Sequence, residues 1–268
     1  MIIEPIAVIS LGFLGLIFAA GLALAHRTLK QEEDPRQEKV TETLPGVDCG
    51  ACGYSSCKAM AKAIVAGEAT PVGCTVANEE SIKDIADFMG ISLSREVEGK
   101  VARLLCRGDM EKAKKRGEYV GISSCRAAEL AAGGPKLCTY GCLGLGDCVR
   151  ACDFNALYMN DKDHPVVVEE NCVACGACVE ACPRDLYELH PENRELFVWC
   201  KSHDDTKRAR KACEVACIGC GLCAKLCDGV EMDDNLAVVN HEETDSCDPG
   251  VEKCPTGAIA YINNTEED

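Results

Sequence analysis

Eleven consecutive residues constrain this chain more than any other part of it: Cys172-x2-Cys175-x2-Cys178-x3-Cys182, followed at once by Pro183. Two residues between cysteines make a tight loop that aims three thiols at one place, and three more residues turn the fourth thiol away. The chain has 268 residues and 22 cysteines but only 4% aromatic residues, so its small domains need the sulfurs for stability. Cysteine offers three staples: a disulfide, a structural zinc ion or an iron–sulfur cluster. Zinc sites use two separated pairs rather than four cysteines in one short run, and disulfide frameworks belong to secreted chains. Iron and sulfide fit this spacing best.

The same spacing occurs in two-cluster bacterial ferredoxins, where the fourth cysteine ligates the other cluster. Its companion half is Cys138-x3-Cys142-x5-Cys148-x3-Cys152, with Asp153 in the usual place of proline. Crossing over predicts one [4Fe–4S] cluster on Cys138, Cys142, Cys148 and Cys182, and a second on Cys172, Cys175, Cys178 and Cys152. Further on, Cys217-x2-Cys220-x2-Cys223-x3-Cys227 is intact, but the following half keeps only Cys247 and Cys254-Pro255, with Thr244 and Gly250 at the other two ligand positions. A third cluster is therefore expected on Cys217, Cys220, Cys223 and Cys254. The site left with Cys227 and Cys247 is expected to be empty, because no spacing rule brings Cys200 and Cys213 to it. The first group, Cys49-x2-Cys52-x4-Cys57-x16-Cys74, lies among Gly46, Gly50, Gly53 and Gly73 and suits a fourth cluster or a zinc ion; three neighbouring clusters favour iron. About four clusters predict about sixteen irons per chain, and about twenty would refute the empty site. Cys106 and Cys125 remain. Cys125 follows Ser123-Ser124 at a predicted helix start that favours a reactive thiol, yet both are expected to be buried thiols acting as small apolar side chains.

Ile6 to Ala25 is a charge-free run of 20 residues. As a helix rising about 1.5 Å per residue it would span a hydrocarbon core of about 30 Å. Glu4 precedes it and no Lys or Arg does, which suits an anchor better than a signal peptide, although Ala23-Leu24-Ala25 resembles a cleavage site. His26, Arg27 and Lys30 follow, so the positive-inside tendency puts the large domain in the cytoplasm, where thiols stay reduced. The span holds no ionisable residue to conduct ions, and Gly15, Ala19 and Ala23 form a small-residue stripe for a partner helix. A net charge of −16 argues against nucleic acid as a partner. Lys112, Lys114, Lys115 and Arg116, and Lys207, Arg208, Arg210 and Lys211, are basic docking patches or solvated helix faces.

The predicted fold class is α+β: a single N-terminal transmembrane helix, a small α-helical [4Fe–4S] domain, then ferredoxin-like βαββαβ units. The expected divisions are the anchor and its flank at 1–30, a linker and cluster domain at 31–90, a connecting segment at 91–137, a two-cluster unit at 138–199 and a degenerate one-cluster unit at 200–268. Helical periodicity covers Lys58–Ala66, Ser81–Met89 and about Arg126–Ala132. Strands are predicted at Val101–Cys106, Ala156–Met159, Pro165–Val168, Leu186–Leu189, Leu196–Val198, Gly229–Met232, Leu236–Val239 and Ala258–Ile262. The chain has no G-x-G-x-x-G dinucleotide fingerprint or Walker loop, and no residue is assigned a catalytic role.

Behind the anchor come Leu44-Pro45-Gly46-Val47-Asp48-Cys49-Gly50-Ala51-Cys52-Gly53-Tyr54 with Cys57 and Cys74, then Cys138-Thr139-Tyr140-Gly141-Cys142-Leu143-Gly144-Leu145-Gly146-Asp147-Cys148, then Cys217-Ile218-Gly219-Cys220. In this order they resemble the B subunit of the Rnf complex, a membrane-bound, ion-translocating ferredoxin oxidoreductase, over nearly the whole chain. The resemblance implies that Cys49, Cys52, Cys57 and Cys74 ligate a [4Fe–4S] cluster. It also implies electrons from soluble ferredoxin, and flavin- and cluster-carrying partner subunits that pass them towards NAD or another acceptor, with Na+ or H+ moved in exchange. Asp153 and Asp228 replace the pattern's prolines, and cysteines are missing at 244 and 250. The expected function is one-electron relay in such a complex. Entry of electrons into another membrane oxidoreductase, of the hydrogenase or formate dehydrogenase type, is the alternative, against which the Cys49 group argues. A colourless, zinc-stabilised scaffold is the reading outside electron transfer.

Overall fold

The computed structural model describes residues 12–24, 34–93, 99–244 and 246–262. Residues 12–24 are helical (α1) and expose Phe13, Leu16, Phe18 and Leu22. The rest of the expected span, residues 6–11 and 25, lies outside the described residues, and among those described no helix is long and apolar enough to cross a membrane.

The helical module that follows is cut into short pieces by strong local signals. Asp34 and Pro35 open α2 (Pro35–Thr43). Ser56 caps α3 (Cys57–Ala66), accepting from the Ala59 N–H at 3.1 Å, and Gly67 ends it in the left-handed conformation. Asn78 and Gly90 frame α4 (Glu79–Met89) in the same way, with Glu79 and Glu80 in the first turn where the helix dipole favours acid. The three helices close over Val40, Met60, Ile64 and Ile85. Full burial of each such aliphatic contributes about 1.5–3 kcal/mol.

From residue 100 onward the chain builds four antiparallel two-stranded sheets. β1 (Lys100–Leu104) pairs with β4 (Tyr187–Pro191), placing Ala102 opposite Leu189, and between them β2 (Leu157–Met159) and β3 (Pro165–Val167) form a hairpin. The Asn160 side chain accepts from the Lys162 and His164 backbone N–H groups and so closes the hairpin turn. The plan then repeats: β5 (Leu196–Val198) pairs with β8 (Ile259–Tyr261) around the hairpin of β6 (Val230–Asp233) and β7 (Leu236–Val239). Lys100–Leu104, expected as part of a connecting segment, is thus the outer strand of the first unit. Helices α6 (Asp147–Arg150) and α7 (Ala177–Ala181) flank the first hairpin, and α9 (Leu222–Leu226) and α10 (Asp248–Glu252) the second. Two further helices, α5 (Cys125–Leu130) and α8 (Thr206–Ala212), lie in the segments between each unit's first strand and its first cysteine helix.

Two-stranded sheets are marginal in water by themselves. Here they pack around sulfur: Cys142, Cys148 and Cys178 are buried with Leu104, Leu157, Leu186 and Tyr187 in one core, and Cys217, Cys223 and Cys247 with Leu196, Val230 and Ile259 in the other. A seam of Leu105, Phe197, Trp199 and Ala260 joins the units, and the Trp199 indole N–H donates to the Ala260 carbonyl at 3.0 Å.

Candidate iron–sulfur sites

Four apolar cavities are each lined by four cysteines. The first holds Cys49, Cys52, Cys57 and Cys74 above Met60. Its loop turns through Gly50 and Gly53, both at positive φ, and folds back onto α3 because the Asp48 carboxylate accepts from the Cys57 N–H at 2.6 Å. The second holds Cys152, Cys172, Cys175 and Cys178 beside Phe154, Leu157 and Leu189. Strand β1 reaches it, since the Ala102 N–H donates to Cys172 Sγ at 3.4 Å. The third holds Cys125, Cys142, Cys148 and Cys182 beside Leu104, Leu143 and Tyr187, and the Tyr187 hydroxyl donates to Cys148 Sγ at 3.3 Å. The fourth holds Cys217, Cys220, Cys223 and Cys254 beside Val198, Met232 and Ile259.

Among the described residues, no three His, Cys, Asp or Glu side chains are grouped as for a single metal ion. The sulfurs stand instead around apolar voids in sets of four, and an all-thiol donor set in an apolar shell fits a [4Fe–4S] cluster. Burial pushes the Cys178 thiol up to about 12, with Cys172 and Cys175 adding to the effect, so a thiolate here requires a cation beside it. Cys254 goes the other way: burial opposes its ionisation, but hydrogen bonds from the Ile259 and Thr256 backbone hold its thiol below the ordinary value.

Three of the four expected ligand sets are gathered as the spacing predicts. The remaining set differs at one member: Cys142, Cys148 and Cys182 meet Cys125, not Cys138. Ser124 caps α5 and also donates to the Asp147 carboxylate at 2.9 Å, while the Arg126 N–H donates to the same carboxylate, so the start of α5 is tied to the start of α6 and Cys125 comes to Cys148. Cys138 is directed elsewhere. Its carbonyl and those of Gly133 and Gly141 are bound by the buried Arg184 guanidinium, and its sulfur lies beside Cys106. Cys125 is buried, as expected, but it lines this cavity rather than packing in a purely apolar core. Its position behind a serine-capped helix start is the local signal that set it apart, and no spacing rule covers the distance to Cys142.

Cys227 and Cys247 are joined in a disulfide, which departs from the expectation of reduced thiols. A Cβ at Gly250, where a third cysteine would stand, would lie 2.2 Å from Cys247 Sγ and 3.2 Å from Cys227 Sγ. The two sulfurs thus fill the space beside Gly250.

The second and third cavities share one core, in which Cys152, Cys172 and Cys178 of the one pack with Cys142, Cys148 and Cys182 of the other. Burial raises the Cys175 thiol, and the neighbouring Cys49 of the first cavity adds to it.

Residues 44–76 match the family described as "Putative Fe-S cluster", and residues 137–186 match the 4Fe-4S dicluster domain family. The chain is 41% identical to the B subunit of the Na(+)-translocating ferredoxin:NAD(+) oxidoreductase complex of Acetobacterium woodii, over 97% of this chain and 78% of that one. It is 36% identical to the B subunit of the ion-translocating oxidoreductase complex of Methanosarcina acetivorans, over 97% of this chain and 98% of that one. It is 40% identical to the B subunit of the proton-translocating ferredoxin:NAD(+) oxidoreductase complex of Clostridium ljungdahlii, over 94% of this chain and 91% of that one. The ligand spacing, the all-thiol cavities and this similarity along almost the whole length converge on [4Fe–4S] clusters as the cofactors. The chain belongs to the family of B subunits of ion-translocating ferredoxin oxidoreductase (Rnf) complexes.

Proposed function

We propose that this chain relays electrons, one at a time, from reduced soluble ferredoxin to flavin- and cluster-carrying partner subunits of a membrane complex that moves Na+ or H+. The observation that carries this reading is the series of four cysteine-lined cavities, the second and third built into one core. Bound clusters supply reversible one-electron chemistry. The chain's own part is to hold, order and tune them. Cys49, Cys52, Cys57 and Cys74 hold the first; Cys152, Cys172, Cys175 and Cys178 the second; Cys125, Cys142, Cys148 and Cys182 the third; Cys217, Cys220, Cys223 and Cys254 the fourth. The Ala102 N–H and Tyr187 O–H donate to ligand sulfurs and favour added negative charge there; Cys74, Cys148, Cys178 and Cys223 are buried from water, whereas Cys49 and Cys220 stand exposed.

Residues 6–25 anchor the chain as a single span, with the large domain in the cytoplasm. The exposed apolar side chains of α1 support this, since such a surface needs lipid or a partner helix around it. The folding units run from about β1 to β4 and from β5 to β8, and the helical module before them stands apart from both. The test is an anaerobic preparation of the full chain. It is expected to be brown, to contain iron and acid-labile sulfide, and to be reduced by ferredoxin. The Cys175→Ala variant should lose the signal of one cluster and interrupt the relay. A colourless, zinc-containing protein would overturn the reading.

A further inference from the structure

Four cysteines remain outside the four cavities and the disulfide: Cys106, Cys138, Cys200 and Cys213. The sequence places them up to 107 residues apart, and no motif connects them. The fold brings them together. A Cβ at Gly141 would lie 3.3 Å from Cys138 Sγ and 3.7 Å from Cys106 Sγ; one at Gly108 would lie 3.1 Å from Cys213 Sγ and 3.7 Å from Cys106 Sγ. Cys106 therefore stands near both Cys138 and Cys213, and the two glycines put no side chain between them. Cys200 packs against the buried cluster that holds Cys213, Ala113 and Ala209, which brings the fourth sulfur to the same region.

The backbone pins these positions. Residues 112–116 are bonded to two other segments: the Lys114 N–H donates to the Ala212 carbonyl and the Glu214 N–H to the Lys112 carbonyl, and the Leu137 N–H donates to the Lys114 carbonyl. Cys213 and Cys138 are thereby both held close to this one stretch.

A second observation is independent of the sulfurs. Lys136 is fully buried; its ammonium donates to the Gly108 carbonyl at 2.7 Å and, among the described residues, forms no ion pair. A buried ammonium without a counter-charge is expensive. Its charge pulls down the thiols of Cys142 and Cys213, although burial raises both, and it also disfavours protonation of the buried His164. Four thiolates on an oxidised cubane carry about −2, the counter-charge that this lysine lacks.

We infer that Cys106, Cys138, Cys200 and Cys213 hold a fifth [4Fe–4S] cluster, which joins the first ferredoxin-like unit to the second. The Cys142 N–H donates to Cys106 Sγ at 3.4 Å, so the site adjoins the third cavity; Cys200 packs against the core that holds Cys217 and Cys223, so it adjoins the fourth as well. The fifth site fills the interval in the series. What crosses it is a single electron in on one side and a single electron out on the other, with no bond or proton moved.

The inference rests on the four-cluster reading, and iron counting separates the two. Anaerobic full-length protein should contain about twenty irons and as many acid-labile sulfides. The double variant Cys200→Ser/Cys213→Ser should contain about sixteen, with the electron paramagnetic resonance signals of the other four clusters retained, which also shows that it folds. The variant Cys227→Ser/Cys247→Ser should keep about twenty. Lys136→Met should keep the iron and move the potential of the signal lost in the double variant to a more negative value. About sixteen irons in the parent chain, unchanged in the first double variant, would overturn the fifth site and leave the other four standing. Iron lost from the Cys227/Cys247 variant instead would move the fifth cluster to the degenerate site and overturn the assignment, whereas far fewer than sixteen in the parent would sink the four-cluster reading itself.

Discussion

Tyr187→Phe tests the tuning of a cluster without removing a ligand. Tyr187 is buried, and its hydroxyl donates to Cys148 Sγ at 3.3 Å. Burial first, and the neighbouring Cys148 next, raise its pKa, so the phenol stays protonated and remains a donor. A hydrogen bond to a charged acceptor contributes about 1.5–3 kcal/mol, and it strengthens as the acceptor gains negative charge. If about 1 kcal/mol of that appears only on reduction, the one-electron conversion of 59 mV per tenfold change makes the loss about 40 mV. The sign follows from the donor favouring the reduced state: phenylalanine should lower the midpoint. Phenylalanine keeps the ring, so iron content and melting temperature should hardly move. A redox titration of the anaerobic full chain, followed by electron paramagnetic resonance, should show one signal shifted down by about 40 mV and the others in place. No shift, or an upward one, would refute the placement of this hydroxyl against a ligand sulfur.

Cys125→Ala should abolish the signal of the Cys142/Cys148/Cys182 cluster; if the spectra and iron content match the parent, Cys125 is no ligand. Arg184→Met should lower the apparent melting temperature by the equivalent of about 3 kcal/mol, because the buried guanidinium binds Glu129 and the carbonyls of Gly133, Cys138 and Gly141, which would be left without a donor. An unchanged melting curve would show that these carbonyls find other partners at no cost. Gly219→Ala should destabilise the Cys217 loop by about 1–2 kcal/mol from its left-handed conformation alone, with more from a Cβ placed 2.9 Å from the Asn235 carbonyl oxygen. Differential scanning calorimetry under argon would read it, and a wild-type transition would contradict the tight approach of the two loops.

Much of this protein is legible locally. Cysteines two residues apart in Cys172-x2-Cys175-x2-Cys178 point together because a loop that short has few conformations, and the crossed ligands Cys152 and Cys254 follow from the same rule. The strands were visible as short apolar runs between turn residues, and all eight form where they were expected to within a few residues. The absence of cysteines at 244 and 250 is equally plain in the sequence. What could not be read was every relation across long stretches of chain. That Lys100–Leu104 pairs with Tyr187–Pro191, that Cys125 and not Cys138 lines the cavity of Cys142, Cys148 and Cys182, and that Cys106 comes near both Cys138 and Cys213 depend on which surfaces pack together. Spacing within a loop is set by covalent geometry over a few residues, whereas the meeting of distant loops is set by burial, and burial exists only once the whole chain has folded.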